Sequence, residues 1–199
     1  IGMVGVIDDV DRITPNAFQN VGDDIVLLGD NTGEIGGSEY LYVTADLVAG
    51  EPPSVDLEGE KRLQQAMLAM IHEGLVTAAH DCSQGGLACT LAEMALGDGE
   101  DPLGVAAEID EELRPVVSLF GESQGRIVVS CDPASTDAHL GAAARYDVPA
   151  QRIGSVVDAE SGFKLEVRDA RVSAALADMS EAYFQAIPKI MDVSPTAES

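Results

Sequence analysis

Two polar, glycine-bearing turns most constrain how this chain can fold, because each of them fixes the end of an apolar segment. Residues 80–87 read His-Asp-Cys-Ser-Gln-Gly-Gly-Leu, a pattern typical of a strand end that turns into a helix. Residues 121–126 read Gly-Glu-Ser-Gln-Gly-Arg and lead into the apolar run at 127–130, which indicates a strand. The two turns therefore predict two strands and one helix that meet at polar loops.

The composition of these turns is suited to an anionic ligand and its metal ion. A helix start offers unpaired N–H groups and the positive end of its dipole, and glycine lets a backbone approach a ligand closely. We therefore predict a phosphate site at Ser83, Gly85 and Gly86, with Asp81 as a cation ligand. Two plainer interpretations remain open: Ser83 or Asp81 caps the helix, and residues 122–124 form an ordinary polar loop.

The apolar periodicity along the chain predicts strands and helices without strict alternation. Predicted helices span residues 56–72, 87–96, 111–119 (interrupted at Pro115), 134–146 and 173–187. Predicted strands span 1–10, 23–29, 76–81, 103–109, 125–130, 152–157 and 163–167, with the last two as a hairpin. Residues 36–39 are predicted as a flexible polar loop and 48–54 as a linker. This order favours an α+β fold in which a mixed β-sheet packs against helices, rather than a doubly wound fold.

Charge excludes several classes of partner. The 199 residues carry 35 Asp and Glu against 11 Lys and Arg, a formal net charge of −24. Such a surface repels nucleic acid and anionic lipid, so we predict that the protein binds neither. The charge is explained by a solvated acidic face or by adaptation to a salt-rich cytoplasm, where screening weakens self-repulsion. No apolar run approaches the ~20 residues of a membrane span, which predicts a soluble protein.

Several catalytic and metal-binding signatures are missing. The chain has no G-x-G-x-x-G or G-x-x-x-x-G-K-[ST] motif, and its three Cys and three His do not have the spacing of a zinc site. The cysteines are predicted to be reduced thiols in a cytosolic protein. No Ser/His/Asp arrangement is evident, and we predict no catalytic residue.

An ordered set of motifs resembles one enzyme family. The set comprises residues 1–10, Gly22-Asp23, Val26-Leu27-Leu28-Gly29, Gly36-Gly37-Ser38-Glu39-Tyr40, residues 79–88, Leu91-Ala92-Glu93-Met94-Ala95, Phe120 with residues 121–126, and Ile153-Gly154. Together they resemble the C-terminal part of the phosphoribosylformylglycinamidine synthase family, the large synthetase subunits of purine biosynthesis. That domain belongs to a superfamily shared with aminoimidazole ribonucleotide synthetase.

The resemblance implies a ligase chemistry that composition and spacing do not show. The family uses ATP and Mg²⁺ to convert formylglycinamide ribonucleotide, with glutamine-derived ammonia, to the amidine. Carried over by motif, Asp81 would bind Mg²⁺, and Glu122, Ser123 and Gln124 would bind a phosphorylated ligand. The implied partners are the N-terminal ATP-binding and catalytic domains of the same protein and the glutaminase and small subunits of the complex. The implied location is cytoplasmic.

The family is internally duplicated, and this chain resembles the second copy of the domain, whose site is implied to be occupied without turnover or vestigial. We predict one domain over residues 1–190, cut from a longer protein and inactive alone, followed by a disordered tail at 191–199. Two alternatives remain. One is a non-catalytic structural or nucleotide-binding module. The other is a different ATP-dependent superfamily member, such as selenophosphate synthetase or thiamine-monophosphate kinase, against which the Gly-Gly-Ser-Glu and Glu-Ser-Gln runs argue.

Overall fold

The computed structural model describes residues 2, 4–7 and 9–191. Its strands are β1 (Asp24–Leu28), β2 (Ala78–Asp81), β3 (Gly104–Ile109), β4 (Ile127–Cys131), β5 (Ala150–Val157), β6 (Phe163–Val167) and β7 (Ala170–Ala174). Its α-helices are α1 (Glu39–Ala45), α2 (Leu57–His72), α3 (Gly86–Leu96), α4 (Pro115–Phe120), α5 (Thr136–Arg145), α6 (Leu176–Phe184) and α7 (Ala186–Met191). No helix in this part of the chain is long and apolar enough to cross a bilayer.

The seven strands form one sheet in the order β2-β4-β1-β5-β3-β6-β7. Neighbouring strands are antiparallel except β3 and β6, which are parallel. The predicted α+β fold with a mixed sheet is thus confirmed. Helices cover both faces of the sheet, because each face presents an apolar surface that must be buried.

Two apolar layers hold the helices to the sheet. On one face, α3, α4 and α6 pack on alternate residues of the strands, and Ile25, Leu27 and Leu91 are fully or almost fully buried there. On the other face, α2 and α5 cover β1 and β4 through residues such as Met70 and Val129. This alternation follows from the period of two in a strand, which sends successive side chains to opposite faces. The aliphatic residues of the sequence therefore supply most of both layers.

Helix α2 shows how closely local sequence fixes an element. Its N-cap is Asp56, whose carboxylate accepts a hydrogen bond from Glu58 N at 3.1 Å, and Leu63, Met67 and Met70 lie on its buried face.

Burial lowers the pKa of His139, which lies in α5 in the same layer and is fully shielded from solvent. A neutral imidazole is the form that an apolar layer tolerates.

Three predicted elements were wrong because they depended on long-range pairing. Strands β5 and β6 do not form a hairpin: β3 lies between them, and β6 pairs instead with β7. Strand β7 includes Ser173, which the sequence assigned to the last helix, and that helix is divided into α6 and α7. The described residues of the predicted strand at 1–10 are not in a strand, since nothing in the sheet pairs with them. Residues 1, 3 and 8 lie outside the described part.

Two further differences are local. Pro115 does not interrupt a helix but begins α4, at the first turn, where its missing N–H costs nothing. Ser38, predicted to lie in a flexible loop, is the N-cap of α1 and accepts a hydrogen bond from Leu41 N. The predicted tail from residue 192 onward is outside the described residues, and the domain boundary at residue 190 stays a prediction.

Candidate functional site

Both glycine-bearing turns lie at the same end of the sheet. Asp81, the last residue of β2, is paired with Ile127, the first residue of β4, and Ile127 is also paired with Leu28 at the end of β1. The loops at residues 29–38, 82–85 and 121–126 therefore meet at this end. The antiparallel register thus brings together motifs that are about 40 to 90 positions apart in the sequence.

The turn between β2 and α3 is built on two glycines with positive φ. Gly85 has φ 78°, and a Cβ there would lie 2.3 Å from Cys89 Sγ. Gly86 has φ 64°, and its Cβ would lie 2.5 Å from the carbonyl oxygen of Gly121. Any side chain at Gly86 would therefore push the start of α3 away from the 121–126 loop. The two glycines therefore allow the two turns to pack closely against each other, apart from any role in ligand binding.

The carboxylate of Glu122 joins three loops. Its Oε1 accepts a hydrogen bond from Gly85 N at 2.9 Å and from Glu39 N at 2.8 Å. Gly85 precedes α3, and Glu39 is the first residue of α1. In the observed arrangement an anion of the chain itself thus occupies two N–H groups of the kind that bind phosphate.

Ser123 is buried and its hydroxyl is used within the chain. The Oγ donates to Asn31 Oδ1 at 3.1 Å and accepts from Thr32 N at 3.2 Å. It has no exposed surface, and it fixes the loop that follows β1. Glu34 extends this network, because it accepts hydrogen bonds from Thr32 and Ser54 that lower the pKa of its carboxyl group. In this arrangement Ser123 positions a loop.

Gln124 is exposed and lines a cleft of about 650 Å³. The cleft lies between the loop after β1, the first turns of α2 and the loop before β5. Most of its charged lining is acidic, since four acidic residues and one basic residue, Arg62, line it; the acidic residues are Asp30, Asp56, Glu60 and Asp147. Gln124 also donates from Nε2 to the carbonyl oxygen of Glu122 at 3.3 Å.

Arg126 is a residue of the site to which sequence reasoning gave no role. Its side chain is 2% exposed, and its guanidinium donates to the carbonyl oxygens of Ser123 and Gly121, on either side of Glu122. The buried guanidinium therefore fixes the backbone on both sides of Glu122. The signal in the sequence was the charge itself, since an arginine that opens an apolar strand must find acceptors inside the protein.

Asp81 and Ser83, like Gln124, are predicted ligand residues that are exposed to solvent. The Asp81 side chain is 74% exposed, and its Oδ1 lies 3.6 Å from His80 Nδ1. The other nitrogen of His80 lies 3.4 Å from Glu93 Oε2. Neither Ser83 nor Asp81 caps α3 with its side chain, so the plainer interpretation of this turn as a side-chain cap is wrong.

A metal ion could use Asp81 only together with ligands from elsewhere. Across residues 2, 4–7 and 9–191, no three His, Cys, Asp or Glu side chains are placed to hold an ion jointly. Magnesium commonly keeps several waters and takes one or two carboxylates plus substrate phosphates. The exposed carboxylate of Asp81 fits that second arrangement and does not fit a site made by the protein alone.

The fold and the loops that meet at one end of the sheet define a class of domain. Comparison with known protein families identifies that class. Residues 20–166 match the family described as "AIR synthase related protein, C-terminal domain", and the chain belongs to this family. Its relatives include the phosphoribosylformylglycinamidine synthase subunit PurL of Moorella thermoacetica, 42% identical over 194 residues and 96% of this chain. The PurL subunit of Caldanaerobacter subterraneus is 44% identical over 156 residues and 78% of this chain. The resemblance found in the sequence is thereby confirmed.

The chain spans only part of these relatives. It covers 26% of the Moorella protein and 21% of the Caldanaerobacter protein. Solved structures of Thermotoga maritima PurL share the fold. The complex with FGAR has a TM-score of 0.73 over 86% of this chain and 30% of that one, at 23% identity. The complex with ATP has a TM-score of 0.68 over 86% of this chain and 28% of that one, also at 23% identity. PurLQS has a TM-score of 0.66 over 86% of this chain and 28% of that one, at 24% identity.

Proposed function

We propose that the chain is the C-terminal domain of a phosphoribosylformylglycinamidine synthase of the PurL type. The observation that carries this proposal is the 42% identity to a PurL subunit over 194 residues, nearly the whole chain. The complete ligase would use ATP and glutamine-derived ammonia to convert formylglycinamide ribonucleotide to the amidine. Because the chain spans about a quarter of that relative, we expect the chain alone to bind ligand without turnover.

Within this proposal, the solvent-facing groups of the site hold the phosphates of a nucleotide. Ser83 and the N–H groups at the start of α3 meet a phosphate, while Gln124 contacts the ligand from the cleft. Asp81 supplies one carboxylate to a Mg²⁺ ion that arrives with the nucleotide, and the ion neutralises phosphate charge. The domain needs that neutralisation, since its own net charge of −24 opposes an anionic ligand. The buried Ser123 and the bonded Glu122 shape the loops.

The partners follow from the same proposal. The preceding ATP-binding and catalytic domains of the same polypeptide would complete the active site, and glutaminase and small subunits would deliver ammonia. The existence of a Thermotoga maritima structure named PurLQS supports an assembly of this kind for that relative. The cytoplasmic location implied by the family stays a prediction.

A second candidate is a nucleotide-binding or purely structural copy of the domain, without turnover even in the full protein. The arrangement at Glu122 favours it, because the N–H groups of Gly85 and Glu39 are already bonded to this carboxylate. A phosphate would have to displace it or bind beside it. Both candidates keep the chain inside the same synthase and differ in whether its site takes part in turnover.

Calorimetric titration of the chain with Mg-ADP tests the nucleotide proposal. We expect saturable binding that is lost when EDTA removes magnesium. Asp81→Asn should weaken it about tenfold or more, the effect of losing roughly 1.4 kcal/mol. Asp101→Asn, at an exposed aspartate in the loop between α3 and β3, is the matched control and should bind as the wild type does. Absence of binding, or equal affinity in Asp81→Asn, would contradict this assignment of the site.

A further inference from the structure

The segment at residues 37–50 leaves the domain and returns to it at a narrow base. Gly37 N donates to the carbonyl oxygen of Ala49 at 2.8 Å, which ties the two ends together. Gly36 and Gly50 are in backbone contact: a Cβ on Gly50 would lie 2.7 Å from Gly36 Cα. Gly37 and Gly50 have φ of 68° and 92°, a region that residues other than glycine rarely adopt. We call residues 37–50 the flap and these glycines its base.

The flap contributes little to the apolar core. Its helix, α1, has no buried residue, and Tyr42 and Val43 are 52% and 72% exposed. One contact that attaches it to the domain is the stacking of Tyr40 on Phe120, with ring centroids 5.1 Å apart. Another is the hydrogen bond from Glu39 N to Glu122 Oε1. A segment with few buried apolar contacts opens at low free-energy cost, so we expect attachments of this kind to limit its opening.

The attachment at Glu122 is stronger than an ordinary surface contact for two reasons. A carboxylate that accepts backbone N–H groups makes charge-assisted hydrogen bonds, and the second bond, from Gly85 N, ties the same oxygen to the start of α3. In addition, Arg126 holds the backbone at Gly121 and Ser123, so Glu122 stands on a fixed loop. The carboxylate thus links a loosely packed flap to a rigid part of the domain.

We propose that Glu122 is a positioning residue that latches the flap to α3, and that it does not itself contact the ligand. The carboxylate takes the place that an anionic group of a ligand would otherwise occupy between the N–H groups of Glu39 and Gly85. The latch is a property of the ligand-free chain. Only its consequence rests on the proposed function: an opened latch would free these N–H groups for a phosphate.

Hydrogen exchange measured by mass spectrometry on the ligand-free chain tests the latch. Glu122→Ala removes the acceptor, and we expect amides of residues 37–50 to exchange about tenfold faster or more, the change that corresponds to ~1.4 kcal/mol. Glu122→Gln keeps an acceptor oxygen without its charge and should give a smaller acceleration in the same peptides. Exchange in β4 and α2 should remain as in the wild type for both variants. Glu93→Ala, which removes a nearby carboxylate that accepts no bond from the flap, should leave the flap unchanged.

Three results would overturn the proposal. One is wild-type exchange of the flap in Glu122→Ala. Another is acceleration spread evenly over the core, which would show general destabilisation. The third is a loss of Mg-ADP affinity in Glu122→Gln with unchanged ligand-free exchange, which would make Glu122 a ligand contact. If Glu122→Ala does not fold, the Gln variant decides by the same criteria. Because exchange is measured without ligand, failure of Mg-ADP to bind would not affect this result.

Discussion

Gly29→Ala is expected to lower the free energy of unfolding by about 3 kcal/mol or more, enough to unfold a marginal domain. Gly29 follows β1 with φ 84°, a conformation that costs any other residue free energy. A Cβ at this position would also lie 1.9 Å from the carbonyl oxygen of Gly125. Because the position of the Cβ is fixed by the backbone of residue 29 and its partner is a backbone carbonyl, no side-chain rotation relieves the clash. The loop after β1 and the Glu-Ser-Gln loop would have to separate.

Gly22→Ala is the matched control for this variant. Gly22 has φ 96°, but a Cβ there would meet nothing within 4 Å. Its substitution should therefore cost only the strain of the backbone, about 1–2 kcal/mol. Chemical denaturation of both variants gives the two values. A cost for Gly29→Ala no larger than that for Gly22→Ala would show that the two loops do not pack as described.

Leu91→Ala is expected to destabilise the domain by about 2–5 kcal/mol. Leu91 lies in the middle of α3, is fully buried, and faces the apolar layer between this helix and the sheet. Its truncation leaves a cavity that the surrounding structure closes only in part. Since α3 begins at the turn after Asp81, the same change should weaken any ligand binding that depends on this turn.

Leu68→Ala supplies the comparison on a helix that faces the other side of the sheet. Leu68 is 59% exposed on α2, so its truncation removes little buried area and should change the free energy of unfolding by less than about 1 kcal/mol. Urea titrations of the two variants, followed by circular dichroism, measure the difference. Similar midpoints for both would contradict the packing of α3 on the sheet.

Most elements of the fold could be predicted because their signals are local. An apolar stripe that repeats over a few turns predicts α2, and an apolar run of a few residues predicts β1. The position of β3 between β5 and β6 could not be predicted in this way, because strand order depends on which distant surfaces are buried together. Strands that follow each other in the sequence often pair, so the sequence predicts a hairpin at 152–167. This prediction was wrong because β6 pairs in parallel with β3 instead.

For the candidate site, too, local features could be predicted from the sequence and long-range contacts could not. Its loops could be found from their glycines and polar residues, and the antiparallel register explains why they meet. The bonds of Glu122 to Gly85 and Glu39 join residues 37 and 83 positions apart, and no local pattern indicates them. Likewise, the sequence places Ser123 in a polar loop without indicating its partners, whereas the side chain is buried and hydrogen-bonded to Asn31 and Thr32. Its role in ligand binding stays a prediction.

Activity of a chimera tests the proposed function most directly. In it, this chain replaces the matching 26% of Moorella thermoacetica PurL. The purified chimera, supplied with the other subunits of its synthase, is assayed for ADP release that depends on formylglycinamide ribonucleotide and ammonia. We expect activity within about tenfold of the parent enzyme, since a misfit worth roughly 1.4 kcal/mol at the new interfaces has that effect. A chimera that folds and assembles like the parent but releases no substrate-dependent ADP would contradict the assignment of this chain to that ligase.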